Sequence, residues 1–243
     1  MRKSIFAFMI ILVFSWPASA GLFDDVKQAV DHPSSKTSEK TPDDNTTVSG
    51  LKEALSIGTK NAVKEVSRSD GYFKNEAIKI LMPEKLRKVT DVLRTVGYEK
   101  QVDDFVLSMN RAAEKAAPRA VPIFVEAVKH MTFDDARKIL RGGDTSATDF
   151  FREKTRDKLY TEFSPDVRES MDKVGVAQSY KKMTAGYEKV PFMKKEDIDL
   201  DHYVTNKALD GLFYMVGQEE RKIRTDPAAR VTDLLKTVFG GKH

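Results

Sequence analysis

The chain of 243 residues has no cysteine, one tryptophan, four histidines, 13 glycines and 9 prolines. Each scarcity excludes something. Without cysteine there is no disulfide framework, no thiol nucleophile, no cysteine-ligated metal and no lipidated cysteine, so the fold must stand on its hydrophobic core. The histidines, His32, His130, His202 and His243, show no metal-ligand spacing, and HExxH is absent. No metal and no cofactor is expected. GxSxG and GxxxxGK[ST] are absent as well, which leaves a serine nucleophile elbow and a phosphate-cradling loop without support. No catalytic residue is assigned. Neither sign of charge dominates: 41 Lys and Arg stand against 37 Asp and Glu. A mixed, soluble surface is expected, with no nucleic acid as partner.

Only one long apolar run exists. Arg2 and Lys3 precede an apolar stretch from Ile5 to Trp16, and Ala18-Ser19-Ala20 follows. That order is the layout of a cleavable signal peptide over residues 1–20. The run falls short of the about 20 residues a membrane span needs. Export to the periplasm, without a lipid anchor, is the expectation. Cleavage would leave 223 of the 243 residues and, with Arg2 and Lys3 gone, lower the net charge from +4 to +2.

Residues 21–48 form a short amphipathic segment and a flexible linker. Leu22, Phe23, Val26 and Val30 share a helical face, and docking on the domain is preferred over peripheral membrane contact. The polar tract DHPSSKTSEKTPDDNTTVSG has no apolar periodicity and reads as a tether.

A single helical domain is expected over residues 49–240, opening at Ser49 as N-cap. The spacing predicts a helix to Val66, a turn at Ser69-Asp70-Gly71, and a short extended segment over residues 77–82. Further helices are predicted over 83–96, stopped by Gly97, and over 99–116, where Val102, Phe105, Val106, Met109, Ala113 and Ala116 recur at helical spacing. Pro122 opens another, and Thr132 with Asp135 forms a capping box before a short one. Ala147, Phe151, Leu159 and Phe163 mark the next, and Ser164-Pro165 starts a separate helix after it. Two more lie around Val176–Tyr187 and from Asp199 or Asp201 to Arg224, and Asp226-Pro227 caps a last one. The prediction is all-α: one domain of about nine short-to-medium helices with little or no strand.

The polar residues that could carry function gather at the middle of the chain. Asn110, Arg111 and Glu114 lie within one turn of the helix over 99–116. If they point inward near Arg152 or Asp135, they form either a structural network or a ligand pocket. Gly142-Gly143 can take the left-handed conformation that ends a helix, with Asp144 or Thr145 capping the next. The same loop can present backbone N–H groups to an anion, although Asp144 would repel phosphate. The ligand-binding candidates are therefore Asn110, Arg111, Glu114, Asp135, Gly142, Gly143, Asp144, Thr145 and Arg152.

Two other patterns carry less. Asp197, Asp199 and Asp201 imitate a calcium loop, but His202 and Ala208 occupy the places of its Gly and Glu, so these acids read as helix-start residues. Lysines 181, 182, 189, 194 and 195 alternate with Tyr180, Tyr187 and Phe192, and the acids that follow cancel their field.

Four stretches, MNRAAEKAAP, AVKHMTFDDARKILRGGDTSAT, DLDHYVTNKALDGLF and LLKTVFG, resemble the bacterial DUF4197 family, a domain of unknown function. The likeness spans about residues 49–240 and departs at Leu81-Met82, where a proline-bearing extended stretch is expected. It implies secretion or envelope association in Gram-negative bacteria and no assigned activity. The leading expectation is a non-enzymatic binding module for an envelope protein or small molecule. The alternative is a hydrolase of an envelope component, using Glu114, Asp135 or Asp144 with Arg111 or Arg152.

Overall fold

The computed structural model describes residues 44–173, 199–233 and 236. Among them are seven α-helices and no strand. They are α1 (Asp44–Ser67), α2 (Glu84–Thr95), α3 (Glu99–Ala116), α4 (Ala120–Lys129), α5 (Phe133–Arg141), α6 (Ser146–Lys173) and α7 (Leu200–Thr225), with 3₁₀ turns at Ala117–Arg119 and Pro227–Ala229. The helices expected over 22–30 and 176–187, most of the final one, and the lysine–tyrosine stretch lie outside the described residues.

Helices α6 and α7 run antiparallel. Thr148 meets Glu220, Arg156 meets Asp210 and Arg168 meets Asp201, so one number falls as the other rises. Helix α1 packs on α7 and α3 packs on α6. Each contributes one apolar stripe at helical spacing: Leu51, Leu55, Ala62 and Val66 from α1, and Val102, Phe105, Met109, Ala113 and Ala116 from α3, all buried. At the centre, Phe124 of α4 meets Phe151 of α6 edge-on with ring centroids 5.0 Å apart, and Phe213 of α7 at 6.2 Å. Edge-to-face pairs add about 1 kcal/mol each to what their burial contributes.

Several helix ends follow from local chemistry. Thr132 and Asp135 close a full capping box at the start of α5. Asp199 caps α7 by accepting the His202 N–H at 2.9 Å. Gly97 ends α2 at φ 91°, a conformation that favours glycine. Helix α1 starts at Asp44 rather than at Ser49, and Val48 in the added turn packs against the core.

Three further expectations are corrected. Ser164-Pro165 does not separate two helices, because α6 continues through Pro165. An internal proline costs about 3 kcal/mol. Burial of Phe163, Val167 and Met171 on the continuing stripe offsets it, at about 1.5–3 kcal/mol each. Pro165 and Thr161, whose carbonyl loses its helical donor, both lie on the exposed side. This fusion is one reason the described residues hold fewer helices than about nine.

Second, residues 77–82 form no strand. The segment pairs with a side chain instead, as described below. Third, neither Gly142 nor Gly143 takes a left-handed conformation, and Gly142 sits at φ −82° and ψ 178°. Its small size matters for another reason: a Cβ there would lie 2.0 Å from the Ser146 hydroxyl and 2.9 Å from the Lys138 carbonyl.

Candidate functional site

The polar turn of α3 points into the protein. Asn110 is fully buried, Glu114 nearly so, and Arg111 straddles the surface. The amide of Asn110 takes both backbone groups of Ile80 and also donates to the Val106 carbonyl. Glu114 Oε1 accepts the N–H groups of Tyr72 and Phe73 at 3.1 and 3.2 Å, and its Oε2 accepts from Arg111 at 2.6 Å. Arg111 reaches on to Asp70 at 2.5 Å. Asp70 holds φ 66°, which brings the loop after α1 back over α3.

These contacts set the local electrostatics. Lys74 first, and then Arg111, hold the Asp70 carboxyl below its ordinary range. The bond to Glu114 pushes the Arg111 guanidinium up further. Tyr72 is entirely buried, its hydroxyl donating to the Ala208 carbonyl at 2.7 Å. Burial, reinforced by Glu114 and Asp210, raises its phenol. Gly211 makes room for that ring, since a Cβ there would come within 2.7 Å of it.

A second buried glutamate repeats the arrangement. Glu220 of α7 accepts the Ala147 and Thr148 N–H groups, each at 2.9 Å, and the Thr148 hydroxyl at 2.8 Å. Arg224 balances it at 2.9 Å and also donates to the Ile139 carbonyl. The positive end of α6 is therefore occupied by the protein's own carboxylate. Gly143, Asp144 and Thr145 remain exposed before it. Thr145 donates to the Asp149 side chain at 3.0 Å. Asp144 makes no side-chain hydrogen bond or ion pair among the described residues.

The candidates are thus brought together only in part. Asn110, Arg111 and Glu114 join one network with Asp70, Tyr72 and Ile80. Arg152 belongs elsewhere: it lies over the Phe213 ring, 4.8 Å from its centroid, and 3.9 Å from Asp210. Asp135 serves the capping box, whose Thr132 bonds hold its carboxyl below the ordinary range. Asp70, Tyr72, Glu220 and Arg224 are not among the site candidates taken from sequence, where Asp70 is only a turn residue and Arg224 a helix end. Glu220 sits in the charged run QEERK and reads as surface. One signal was available: N–H groups at the start of α6 need an acceptor.

A cleft lies between α4, the start of α5 and α6, with a volume of about 260 Å³. Ile123 and Ala127 from α4 and Phe150 from α6 supply its apolar surface. Glu126 faces it from α4, His130 from the residue that caps the end of α4, Asp135 from α5, and Lys154 and Lys158 from α6. Lys158 and Glu126 pair with each other, which holds the Glu126 carboxyl low. Lys154 and Asp135 attract one another without closing an ion pair, and Lys154 is bonded to Glu153. The His130 backbone N–H donates to the Glu126 carbonyl, and its imidazole makes no hydrogen bond or ion pair among the described residues. No group of three or more potential metal ligands exists among the described residues.

Such a molecule is an all-helical domain whose buried charges tie loops and helix ends to the core. The chain belongs to the family described as protein of unknown function (DUF4197), whose model matches residues 41–240. No curated protein and no solved structure matches it. Among the described residues no helix is long and apolar enough to cross a membrane.

Proposed function

We propose that this domain is a non-enzymatic binding module of the bacterial envelope, exported to the periplasm by residues 1–20, and that its ligand seat is the cleft between α4, α5 and α6. The observation that carries this reading is a contrast. The central side chains Asn110, Glu114 and Arg111 spend their hydrogen bonds on Ile80, Tyr72, Phe73 and Asp70. The cleft combines apolar walls with an imidazole and with Asp135 and Lys154, opposite charges that are not closed on each other, beside the closed pair of Glu126 and Lys158. Concave sites of that composition are where small molecules bind. Of the carboxylates considered for hydrolysis, Asp135 lines this cleft, Glu114 is consumed inside the protein and Asp144 lies on an exposed loop. General acid–base work by a pair needs two such groups within reach of one substrate, and the other acid of the cleft, Glu126, is paired with Lys158.

The test is native mass spectrometry of the mature protein purified from its own periplasm. The expected result is a retained small mass that disappears in Ala127→Leu, which narrows the cleft, and persists in Arg111→Ala. An adduct lost from Arg111→Ala alone would move the seat to the centre. A protein co-purifying with an otherwise clean mass would replace the small ligand with a protein partner.

A further inference from the structure

The charges around the cleft are sorted by wall. Asp135 stands at the start of α5 and Lys154 on α6, both facing the cavity, and they make no ion pair with each other. Both hydrogen bonds that Asp135 receives from Thr132 fall on Oδ2. Its Oδ1 has no hydrogen bond among the described residues. His130 adds a second free polar group beside Glu126. Between these groups lie Ile123, Ala127 and the half-buried face of Phe150.

The volume bounds the guest. The cleft has a volume of about 260 Å³ and is partly open to solvent, so it encloses only a small guest or a small part of a larger one. That volume is below the range of drug-sized ligands. The charges then select among small molecules. A simple anion drawn to Lys154 meets the carboxylates of Asp135 and Glu126. A simple cation drawn to Asp135 meets Lys154 and Lys158. An uncharged apolar guest would strip water from all of these groups without replacing its hydrogen bonds. A guest carrying both charges answers each wall and excludes the single-charge alternatives by repulsion.

We propose that the cleft binds a small zwitterion with an aliphatic side chain, of the α-amino acid class. The carboxylate lies toward Lys154 and His130, the ammonium toward Asp135 Oδ1, and the side chain against Ile123, Ala127 and Phe150. The proposal rests on the cleft being the ligand seat.

Isothermal titration calorimetry on the mature chain tests it with three probes: L-leucine, isovalerate and 3-methylbutylamine. The last two carry one half of the zwitterion each. L-leucine is expected to bind about tenfold or more tighter than either half-probe, the loss expected from one charge-assisted contact. Lys154→Met, a change at an exposed position, is expected to weaken L-leucine about tenfold while leaving Tm unchanged. Ala127→Leu is expected to abolish binding. Isovalerate binding as tightly as L-leucine would overturn the zwitterion and leave the cleft as a seat for anions. L-leucine affinity unchanged in both variants would overturn the location. No binding of any probe at millimolar concentration would overturn the proposal. If the native protein still retained a mass sensitive to Ala127→Leu, the binding-module reading would survive that failure.

Discussion

One side-chain amide closes both backbone groups of Ile80: Asn110 Oδ1 accepts its N–H at 2.8 Å and Nδ2 donates to its carbonyl at 2.8 Å. A neighbouring strand would offer the same pair of bonds. The extended segment before Pro83 therefore has a partner inside an all-helical domain, and Ile80 reaches 1% exposure. Asn110→Ala would leave a donor and an acceptor buried and unpaired. The expected loss is about 3 kcal/mol, read as a lower midpoint in urea at unchanged slope. A change within 0.5 kcal/mol, roughly the spread of surface substitutions, would mean that water replaces the amide.

Glu220 joins α7 to the start of α6 as Glu114 joins α3 to the loop after α1. Glu220→Ala would remove the acceptor from the Ala147 and Thr148 N–H groups and strand Arg224, whose side chain is only 16% exposed. Loss of one partner of a buried pair costs about 3–5 kcal/mol. Hydrogen exchange is expected to accelerate first at Ala147 and Thr148. Uniform acceleration across the domain, with no early opening there, would argue that Glu220 contributes only to global stability.

Asp70 links acid sensitivity to the same region. Its folded pKa lies below the unfolded value because Lys74 and Arg111 stabilise the carboxylate. The unfolded chain therefore takes up this proton at higher pH than the folded one. The stabilisation is complete above the unfolded value, near pH 4 for an aspartate. It is lost as pH falls through the lower folded value. Asp70→Asn, which tolerates the positive φ, is expected to flatten the fall in Tm below about pH 4. Parallel curves for the two proteins would show that the ion pairs of Asp70 do not contribute to acid unfolding.

Pro165 offers a stabilising change. It is exposed, and α6 is helical on both sides of it. Pro165→Ala restores an N–H for the Thr161 carbonyl and is expected to raise stability by about 1–3 kcal/mol. Thermal melts would read this as a higher Tm with unchanged helix content. A lower Tm would show that proline acts mainly by restricting the unfolded chain.

Much of the helical plan was legible from spacing alone. The stripe of α3, the buried positions Ala147, Phe151, Leu159 and Phe163, the Thr132–Asp135 box and the Gly97 stop all depend on residues within a few positions of each other. Such interactions repeat along the chain and leave a periodic trace. The break placed at Pro165 failed because a local penalty was weighed without the burial of Phe163, Val167 and Met171 along the continuing face of α6. The loop at Gly142 was read through glycine's left-handed freedom, whereas contact with Ser146 and Lys138 determines it.

The candidate site divides in the same way. Asn110, Arg111 and Glu114 were recognisable as neighbours, because three residues along a helix share a face. Whether they faced a pocket or the core depended on Ile80, Tyr72 and Asp70, which lie 30 to 42 positions away. The cleft is less legible still, since Ala127, Asp135 and Lys154 meet only when α4, α5 and α6 pack. By itself, then, the sequence determined an all-helical domain of this family, its amphipathic faces and several of its caps, which are local or periodic properties. Only the tertiary structure decided which charges are buried and which are open to a ligand, because that depends on contacts between distant segments that no period or motif encodes.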